Sequence, residues 1–438
     1  MKKQVHLAAH FPGVNHTTVW SDAAAGSQTE FDSFVHFAQT AERGLFDFLF
    51  LAEGLRLREH RGRIHDLDVV GRPDTLTVLN ALAAVTTHLG LGGTINTTFN
   101  EPYELARQFA SLDQLSGGRA AWNLVTTFDA FTGENFRRGG FLQEADRYAR
   151  AQEILDVALA LWHSRGPVAP DRAVGVFDRD VPLIDHDGPQ FRVHGRFSVP
   201  RSPQGHPVLI QSGDSDAGRE FGAKTADAIF TRYGTREAGQ AFYRDLKDRL
   251  PRYGRVDSDV TILPATTFAL GDSRPEAEER AAAIRRQQVS PQTAIAFLEQ
   301  VWGRDLSAYD PDGPLPDVDP VPGATLTRGR VRHEKDPTAV AARWRELAAA
   351  KNLSIRELII ETTARQSFVG TPSQVAEQMD EYVQYDASDG FILIPHLTPS
   401  GLDDFVDLVI PELQDRGAYP TAYRGATLRD HLGLPYPP

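Results

Sequence analysis

Short, continuously apolar stretches alternate with helical patterns along most of this sequence, and that alternation constrains the fold more than any other feature. Two clear stretches are "FDFLFLA" at residues 46–52 and "GFILI" at residues 390–394. Strands that are buried on both faces have this continuous apolar character, and helical crossovers join the parallel strands of one sheet. The sequence therefore predicts an α/β protein built around a parallel sheet.

About eight strand–helix units follow one another along the chain. The predicted strands are residues 5–9, 46–52, 89–94, 120–125, 208–211, 228–231, 261–270 and 390–394. Eight units favour a closed (β/α)8 TIM barrel over an open, doubly wound Rossmann sheet. The first predicted strand is also not followed by G-x-G-x-x-G, the phosphate-binding signature of a Rossmann sheet.

Residues 1–438 are predicted to form one TIM-barrel domain with two extended insertion segments, at about residues 164–206 and 301–353. The first is rich in Pro, Gly, Asp and Arg, and residues 305–336 of the second are dense in Pro and Asp. Long segments without periodicity inside a compact domain are usually functional loops. We therefore expect them to include a lid or a hairpin that lies over a site and excludes water.

Composition excludes several classes of function. The formal net charge of −13 argues against a nucleic-acid partner, and it disfavours highly anionic substrates unless a basic loop such as "GENFRRGG" overrides it. The chain has no cysteine, so disulfides and thiolate chemistry are excluded. His60 and His65 lie in a charged loop, where we expect them to be solvated rather than to bind a metal. Without a signal peptide or an apolar stretch of membrane-spanning length, we expect a cytoplasmic protein with no membrane partner.

The active site of a TIM barrel lies at the C-terminal ends of its strands, so the side chains at those ends are the candidates. Most of them are neutral hydroxyls and amides, which suit an uncharged ring with carbonyl and N–H groups and a phosphate tail. The pair of carboxylates that a glycosidase needs is missing, since only Glu53 stands clearly at a strand end. The candidates are His10, His16, Glu53, Asn96, Thr97, Thr98, Asn123, Thr126, Thr127, Gln211, Ser212, Gly213, Ser215, Thr231 and Arg232.

Three of these candidates have more than one interpretation. Asn123 lies inside the apolar strand "AAWNLV", where an amide without partners is costly, so we interpret it as site-lining rather than as packing at the barrel bottom. His10 is compatible with a structural or a catalytic histidine. Two interpretations fit Glu53 equally well: a carboxylate at the start of a helix, and an acceptor for a ligand N–H group.

The segment "QSGDSDAGREFGAKTADAIF" at residues 211–230 is the candidate phosphate site. Gly213 and Gly218 permit tight turns, and Ser215 with the free N–H groups of the following helix start can hold an anion. The alternative is an ordinary glycine-rich turn in which Ser215 or an aspartate caps the helix.

Four separated motifs carry a resemblance to a known family. They are "ASLDQLSGGRAAWNLVTT", "PRSPQGHPVLIQSGDSDAGREFGAKTADAIF", "GTPSQVAEQM" and "FVDLVIPELQDRGAYPTAYRGATLRDHLGL". Together they resemble the luciferase-like flavin monooxygenases, in the branch that contains nitrilotriacetate monooxygenase, dibenzothiophene-sulfone monooxygenase and pristinamycin synthase. The resemblance implies a two-component enzyme that uses reduced FMN and O2 to oxygenate a small molecule at or next to sulfur or nitrogen. It also implies a separate NAD(P)H:flavin reductase as partner, and a homodimer or homotetramer.

Carried over by position, the resemblance also implies which residues contact the flavin. In the helix after the fourth strand the family commonly has a histidine four residues before a tyrosine, whereas this chain has Glu144 before Tyr148. We choose His10 as the residue that assists proton transfer, because imidazole donates and accepts protons near neutral pH. The implied flavin contacts are Glu53, Thr97 or Thr98, Asn123, Thr127, Glu144, Tyr148, Gly213 and Ser215.

Two other functions remain compatible with the same barrel. A deazaflavin in place of FMN would make the protein a hydride-transfer oxidoreductase that does not consume O2. A flavin carrier without catalysis would bind oxidised FMN tightly. The substrate pocket is built from loop side chains, so a resemblance at the level of the fold does not identify the substrate.

Overall fold

The computed structural model describes residues 2–12, 17–64, 72–127, 130–136, 144–166, 181–324, 326–329, 336–363 and 367–437, without the side chains of residues 144 and 145. Eight parallel strands form a closed barrel in chain order, which confirms the predicted (β/α)8 fold. These strands are β1 (His6–His10), β2 (Phe48–Leu51), β3 (Gly90–Asn96), β4 (Ala120–Val125), β5 (Val208–Gln211), β6 (Ala228–Thr231), β7 (Thr261–Thr266) and β8 (Gly390–Leu393).

Helices surround the barrel and form the crossovers between its strands. None of the helices in the described ranges is both long enough and apolar enough to cross a membrane. They are α1 (Phe31–Arg43), α2 (Thr75–Ala83), α3 (Pro102–Leu115), α4 (Glu144–His163), α5 (Asp216–Thr225), α6 (Arg236–Lys247), α7 (Arg274–Gln288), α8 (Pro291–Trp302), α9 (Pro337–Lys351), α10 (Ile355–Thr363), α11 (Pro372–Gln384), α12 (Ile410–Asp415, after the π-helical turn Phe405–Val409) and α13 (Leu428–Leu432).

The barrel interior is filled by alternate side chains of the strands, as the period of a strand requires. The interior cluster includes Ala8, Phe48, Phe50, Ala121 and Ile210. Three leucines from α13 and the residues after it join this cluster, all of them almost fully buried, so α13 closes the N-terminal end of the barrel. They are Leu428, Leu432 and Leu434.

Aspartates at the N-terminal ends of three strands fix each strand to the one before it. The carboxylate of Asp47, before β2, accepts the N–H of Leu7 in β1 at 2.9 Å. Asp227, before β6, accepts the N–H of Leu209 at 2.9 Å. Asp389, before β8, likewise accepts the N–H of Ile262 in β7 at 2.8 Å. Each carboxylate thus bridges two neighbouring strands at the end of the barrel that α13 closes.

The seventh predicted strand was too long. Residues 261–270 were predicted as one strand, but β7 ends at Thr266, where its pairing with Leu393 at the end of β8 also ends. The next residues form a separate strand, Phe268–Leu270, which pairs with Phe368–Gly370 outside the barrel. A continuous apolar run does not reveal a change of pairing partner, because both halves are buried.

The crossover from β7 to β8 contains helices that the sequence analysis did not identify. Helices α8, α9 and α10 pack around a hydrophobic cluster of their own, which includes Trp302 and Ile355. The sequence of α9, "PTAVAARWRELAAAK", is dominated by alanine and charge, so its apolar stripe is weak. That the chain forms one domain with insertions at about 164–206 and 301–353 remains a prediction.

Candidate active site at the C-terminal ends of the strands

Three rings cross the barrel interior near the C-terminal ends of the strands. The His10 ring lies 5.3 Å from that of Phe50, and the Phe50 ring lies 5.4 Å from that of Phe230. Ala8 on β1 points into the barrel interior, and His10, two residues later, lies on the same face of the strand. The three rings, from β1, β2 and β6, form an aromatic floor that separates the packed interior from the barrel mouth.

His10 is a neutral imidazole at physiological pH. Its side chain is 4% exposed, and its Nδ1 has no hydrogen-bond partner among the residues that the structure describes. Burial first, and then the positive charges of Arg72 and Arg232, lower the pKa of His10 to about 4. The neutral ring is therefore suited to accept a hydrogen bond at the floor of the mouth.

Only the nitrogen of the Asn123 side-chain amide, on β4, has a hydrogen-bond partner in the described ranges. Its Nδ2 donates to the hydroxyl of Thr94 on β3 at 2.8 Å. Its Oδ1 is buried and has no partner within the described ranges. The neighbouring Trp122 points to the outer face of the barrel, where it packs 5.2 Å from the Phe109 ring. Asn123 therefore presents an unsatisfied acceptor toward the interior, which is costly unless a ligand donor meets it.

Glu53 lies two residues beyond β2 and is held by Asn96 at the end of β3. One carboxylate oxygen accepts the backbone N–H of Asn96 and both accept its side-chain amide, at 3.1 Å in each case. Asn96 is fully buried, and its own amide oxygen accepts the N–H of Phe99 at 2.9 Å. Glu53 is thus neither exposed nor at a helix start.

The three candidate threonines join the ends of β3 and β4. The Thr97 hydroxyl donates to the carbonyl of Val125 at 3.1 Å. The Thr98 hydroxyl accepts the N–H of Thr127 at 3.0 Å and donates to its carbonyl at 3.3 Å. Thr97 and Thr98 are buried, and Thr127 is half-buried. The structure therefore brings the predicted Glu53, Thr97, Thr98, Asn123 and Thr127 to the same end of the barrel.

Arg150, which the sequence analysis missed, supports this group from behind. Its guanidinium is fully buried and donates to the carbonyls of Thr97 at 3.0 Å and Asn100 at 2.9 Å. It also lies 4.1 Å from the ring of Phe191. A signal was present, since Arg150 falls on the apolar stripe of α4 at helical spacing from Ile154 and Val157, where a charged side chain needs buried partners.

The predicted phosphate segment forms a close turn from β5 into α5. A Cβ on Gly218 would lie 2.8 Å from the Cα of Gly213, so both residues must be glycine for the turn to close. Gln211 accepts the N–H of Gly213 at 2.6 Å, and Ser215 caps α5 by accepting the N–H of Gly218 at 3.1 Å. Ser215 is therefore a helix cap whose hydroxyl proton remains available to a ligand.

Tyr148 on α4 lies beside this turn, since its ring packs 5.6 Å from that of Phe221 on α5. The Glu144 side chain and His16, both predicted at the site, lie outside the described residues, as does His65. No group of three or more His, Asp or Glu side chains in the described part of the chain is arranged to bind a metal ion.

One wall of the mouth is built from charged and aromatic contacts. The guanidinium groups of Arg56 and Arg328 lie 3.5 Å and 4.5 Å from the centre of the Phe131 ring. Both arginines pair with Glu134, at 2.7 Å and 2.9 Å. Arg328 comes from the second insertion, whose strand Thr327–Arg328 pairs with Glu59–His60.

The expectation that His60 is solvated was wrong. Its Nε2 lies 2.5 Å from Oε2 of Glu299 on α8, and its Nδ1 lies 2.7 Å from the hydroxyl of Thr327. Glu299 is 1% exposed. The charged sequence of the loop concealed this burial, because the partner lies 239 residues away.

Only part of the first insertion lies near the mouth. Its hairpin, Ile184–Asp187 with Arg192–Gly195, is tied to α4 where Glu153 accepts the N–H of Phe191 at 2.9 Å. The segment then returns to the opposite end, where Gln204 donates to the carbonyl of Ala120 at 2.9 Å. This return is required, because β5 begins at the N-terminal end of the barrel.

The fold is thus a (β/α)8 barrel with a candidate active site at the C-terminal ends of the strands. The family of luciferase-like monooxygenases matches residues 13–388. Nitrilotriacetate monooxygenase component A of Aminobacter aminovorans is 38% identical over 425 residues, covering 93% of this chain and 91% of that protein. Dibenzothiophene-sulfone monooxygenase of Rhodococcus erythropolis (strain XP) is 37% identical over 462 residues, covering 100% of this chain and 98% of that protein.

A solved structure of riboflavin lyase with modified FMN and riboflavin agrees over the whole fold. It has a TM-score of 0.80 at 29% identity and covers 99% of this chain and 97% of that one. The chain therefore belongs to the luciferase-like monooxygenase family, in the branch that the motifs indicated. It is a monooxygenase, and as a member of this family it works with reduced flavin and O2.

Proposed function

We propose that this protein is the oxygenase component of a two-component system that receives reduced FMN from a separate NAD(P)H:flavin reductase. It uses O2 to oxygenate a small organic molecule at or next to a nitrogen or sulfur atom. The name of one relative, nitrilotriacetate monooxygenase component A, supports a two-component arrangement. Nitrilotriacetate is an amine, so the same name supports a nitrogen target. The other is named for a sulfone, which supports a sulfur target. We also propose that the protein is cytoplasmic and forms a homodimer or homotetramer.

The observation that carries this proposal is the buried Oδ1 of Asn123, which has no partner in the part of the chain that the structure covers. A flavin ring carries an N–H group that would satisfy it, and the ring's carbonyls would meet the hydroxyls at the ends of β3 and β4. Glu53, Thr97 or Thr98, and Thr127 are the other residues that would hold the ring. The residues present thus fit the cofactor that the family implies.

The phosphate of FMN would lie at the turn between β5 and α5. Gly213 and Gly218 approach each other closely at this turn, and the first N–H groups of α5 and the helix dipole favour an anion there. Ser215 and Tyr148 would each donate a hydroxyl proton. Glu144 is proposed to stand where the family commonly has histidine.

When bound, reduced FMN supplies two electrons and the site at which O2 is activated. The chain's own residues bind the ring, orient it and exclude water. The floor of His10, Phe50 and Phe230 closes the site from below, and the wall around Phe131 closes one side. His10 is neutral, and we propose that its Nδ1 accepts a hydrogen bond and so assists proton transfer during oxygenation.

The two other functions are less well supported. The relatives named above are oxygenating enzymes, which does not favour a deazaflavin-dependent hydride transfer. A deazaflavin enzyme is separated from an oxygenase by the absence of O2 consumption, and a flavin carrier by its preference for oxidised FMN.

The proposal is tested by anaerobic titration of the protein with photoreduced FMN, followed by mixing with O2. We expect reduced FMN to bind more tightly than oxidised FMN, and the bound flavin to react with O2 at a rate that differs from that of free reduced FMN. Asn123→Leu should weaken binding of reduced FMN by about 10- to 100-fold, because it removes one buried hydrogen bond. The thermal midpoint of the flavin-free variant should not fall, since leucine removes an unsatisfied acceptor.

Asn80→Leu, on the outer helix α2, is the matched control and should leave flavin binding unchanged. Failure of the native protein to bind reduced FMN would refute the flavin assignment. Equal binding by the native protein and Asn123→Leu would remove Asn123 from the site.

A further inference from the structure

Two arginines stand at the mouth of the barrel, above the aromatic floor. Arg72 crosses the end of β2, where its guanidinium donates to the carbonyl of Ala52 at 3.1 Å. Its side chain also runs past Gly54, where a Cβ would lie 3.2 Å from the arginine Cδ. Arg232 is the first residue beyond β6 and lies two positions after Phe230, on the inward alternation of that strand. Both arginines therefore flank the surface that His10 and Phe230 form.

Arg232 differs from the other arginines around the mouth because its side chain is exposed and forms no ion pair with any residue in the described ranges. By contrast, Arg56 and Arg328 both pair with Glu134. A guanidinium with five donors and no carboxylate to bind is suited to an anionic ligand.

Two described carboxylates near the mouth already accept hydrogen bonds from neutral donors. Glu53 accepts three hydrogen bonds from Asn96. Asp214 accepts the hydroxyl proton of Thr231 at 2.9 Å. The lowered pKa of His10 is consistent with this arrangement, since after burial the charges that act on it are those of Arg72 and Arg232. Arg232 thus places a positive charge at the mouth without a carboxylate partner in the described ranges, although the whole chain carries a net charge of −13.

We propose that the substrate carries at least one carboxylate, which Arg232 binds together with Arg72, so that its nitrogen or sulfur atom lies above the aromatic floor. This inference rests on the proposed function and adds a substrate class to it. The planar guanidinium of arginine matches the two oxygens of a carboxylate, and its charge is retained at every accessible pH. The two arginines are specificity-determining residues, and the sequence-based expectation that the acidic chain disfavours anionic substrates does not apply at the mouth.

The test compares thiodiacetate with its diamide, which has the same sulfur atom and nearly the same shape but no charge. Binding of each compound to the anaerobic complex with reduced FMN is measured by calorimetry, so that the result does not depend on turnover. We expect the native protein to bind the diacid at least about tenfold more tightly than the diamide. Arg232→Leu should abolish this preference without changing the affinity for the diamide.

Arg252→Leu is the matched control, because it removes the same charge from an exposed side chain that follows α6 and pairs with Glu220 on α5. It should leave the preference for the diacid unchanged. The dissociation constant of reduced FMN is measured for every variant. If it weakens about tenfold or more in Arg232→Leu, the arginine binds the flavin phosphate and the inference is wrong.

Other outcomes also decide the question. If the diacid binds no better than the diamide, or does not bind, the mouth does not select carboxylates. Failure of the native protein to bind reduced FMN is seen before either compound is added, so it refutes the proposed function separately from this inference.

Discussion

His10 combines burial, an inward position and a nitrogen without a partner in the described structure. Burial and the charges of two arginines lower its pKa to about 4, so the imidazole stays neutral over the whole physiological range. In an unfolded chain the same ring has its ordinary pKa of 6.5. The difference between these values couples the proton affinity of this residue to the stability of the fold.

We expect the protein to lose stability as the pH falls from about 6.5 to 4, because the unfolded state then binds a proton at His10 that the folded state does not. A lowered histidine pKa contributes stability that is complete above the unfolded value and is lost on acidification. His10→Gln should therefore reduce the loss of unfolding free energy between pH 7 and pH 5 by about 2 kcal/mol. Urea unfolding at the two pH values measures it.

His194→Gln, at a side chain that is 68% exposed, should leave the pH dependence unchanged. If His10→Gln retains the pH dependence of the native protein, the ring is not held neutral by the fold. Substitution of His10 should also raise the release of hydrogen peroxide relative to product, as its proposed role in proton transfer requires.

The sequence was sufficient to place individual candidates but not their partners. Asn123 was identified because an amide inside an apolar strand is costly, and His10 because it ends the first strand. The hydroxyl of Thr94 that orients Asn123 lies on another strand, and its contact depends on the register between β3 and β4. Likewise, the buried pairing of His60 with Glu299 depends on how the β7–β8 crossover folds back.

At the scale of elements, the turn between β5 and α5 is defined by the contact between its two glycines. Its role as a cap for α5 and its proposed role as a phosphate site use different atoms of Ser215, since the oxygen accepts from Gly218 and the hydroxyl proton is left for a ligand. Cap and anion site are therefore compatible.

Gly218→Ala should widen this turn, because the new methyl group would lie 2.8 Å from the Cα of Gly213. We expect the affinity for reduced FMN to fall by about 10- to 100-fold, while the affinity for reduced riboflavin, which lacks the phosphate, stays nearly unchanged. Anaerobic titration with the two flavins measures this difference. Ser273→Ala, which removes the cap of α7, controls for the loss of a helix start. Equal weakening for both flavins would place the phosphate elsewhere.

The ends of a strand were predictable where one continuous apolar run defined it. Strands β4, β5 and β6 have the bounds that their apolar runs indicated. The prediction was wrong where the pairing partner of a strand changes, after Thr266. It was incomplete for α9 and α10, because their apolar faces pack on α8 in a separate cluster rather than on the barrel.

For the whole molecule, the position of α13 explains why residues after the last barrel strand matter to the fold. Its leucines complete the interior layer at the N-terminal end, and the buried Arg429 pairs with Asp227 at 2.9 Å. The barrel interior is therefore closed by a segment from outside the eight strand–helix units.

Leu428→Ala should lower the unfolding free energy by about 2 to 5 kcal/mol, because the leucine is fully buried among interior side chains. The affinity for reduced FMN should not change, since the proposed flavin site lies at the opposite end of the barrel. Leu408→Ala, at a leucine that is 48% exposed, is the matched control. A shift in the urea midpoint no larger than that of the control would show that α13 does not close the interior.

The three aspartates that bridge neighbouring strands have a consequence for how enzymes of this kind change their substrates over evolution. Asp47, Asp227 and Asp389 set the alignment of their strand pairs at the end of the barrel remote from catalysis. The alignment therefore does not depend on the loops at the other rim. Insertions, deletions and exchanges in those loops are free to accumulate, and new specificities arise without a new fold having to be stabilised.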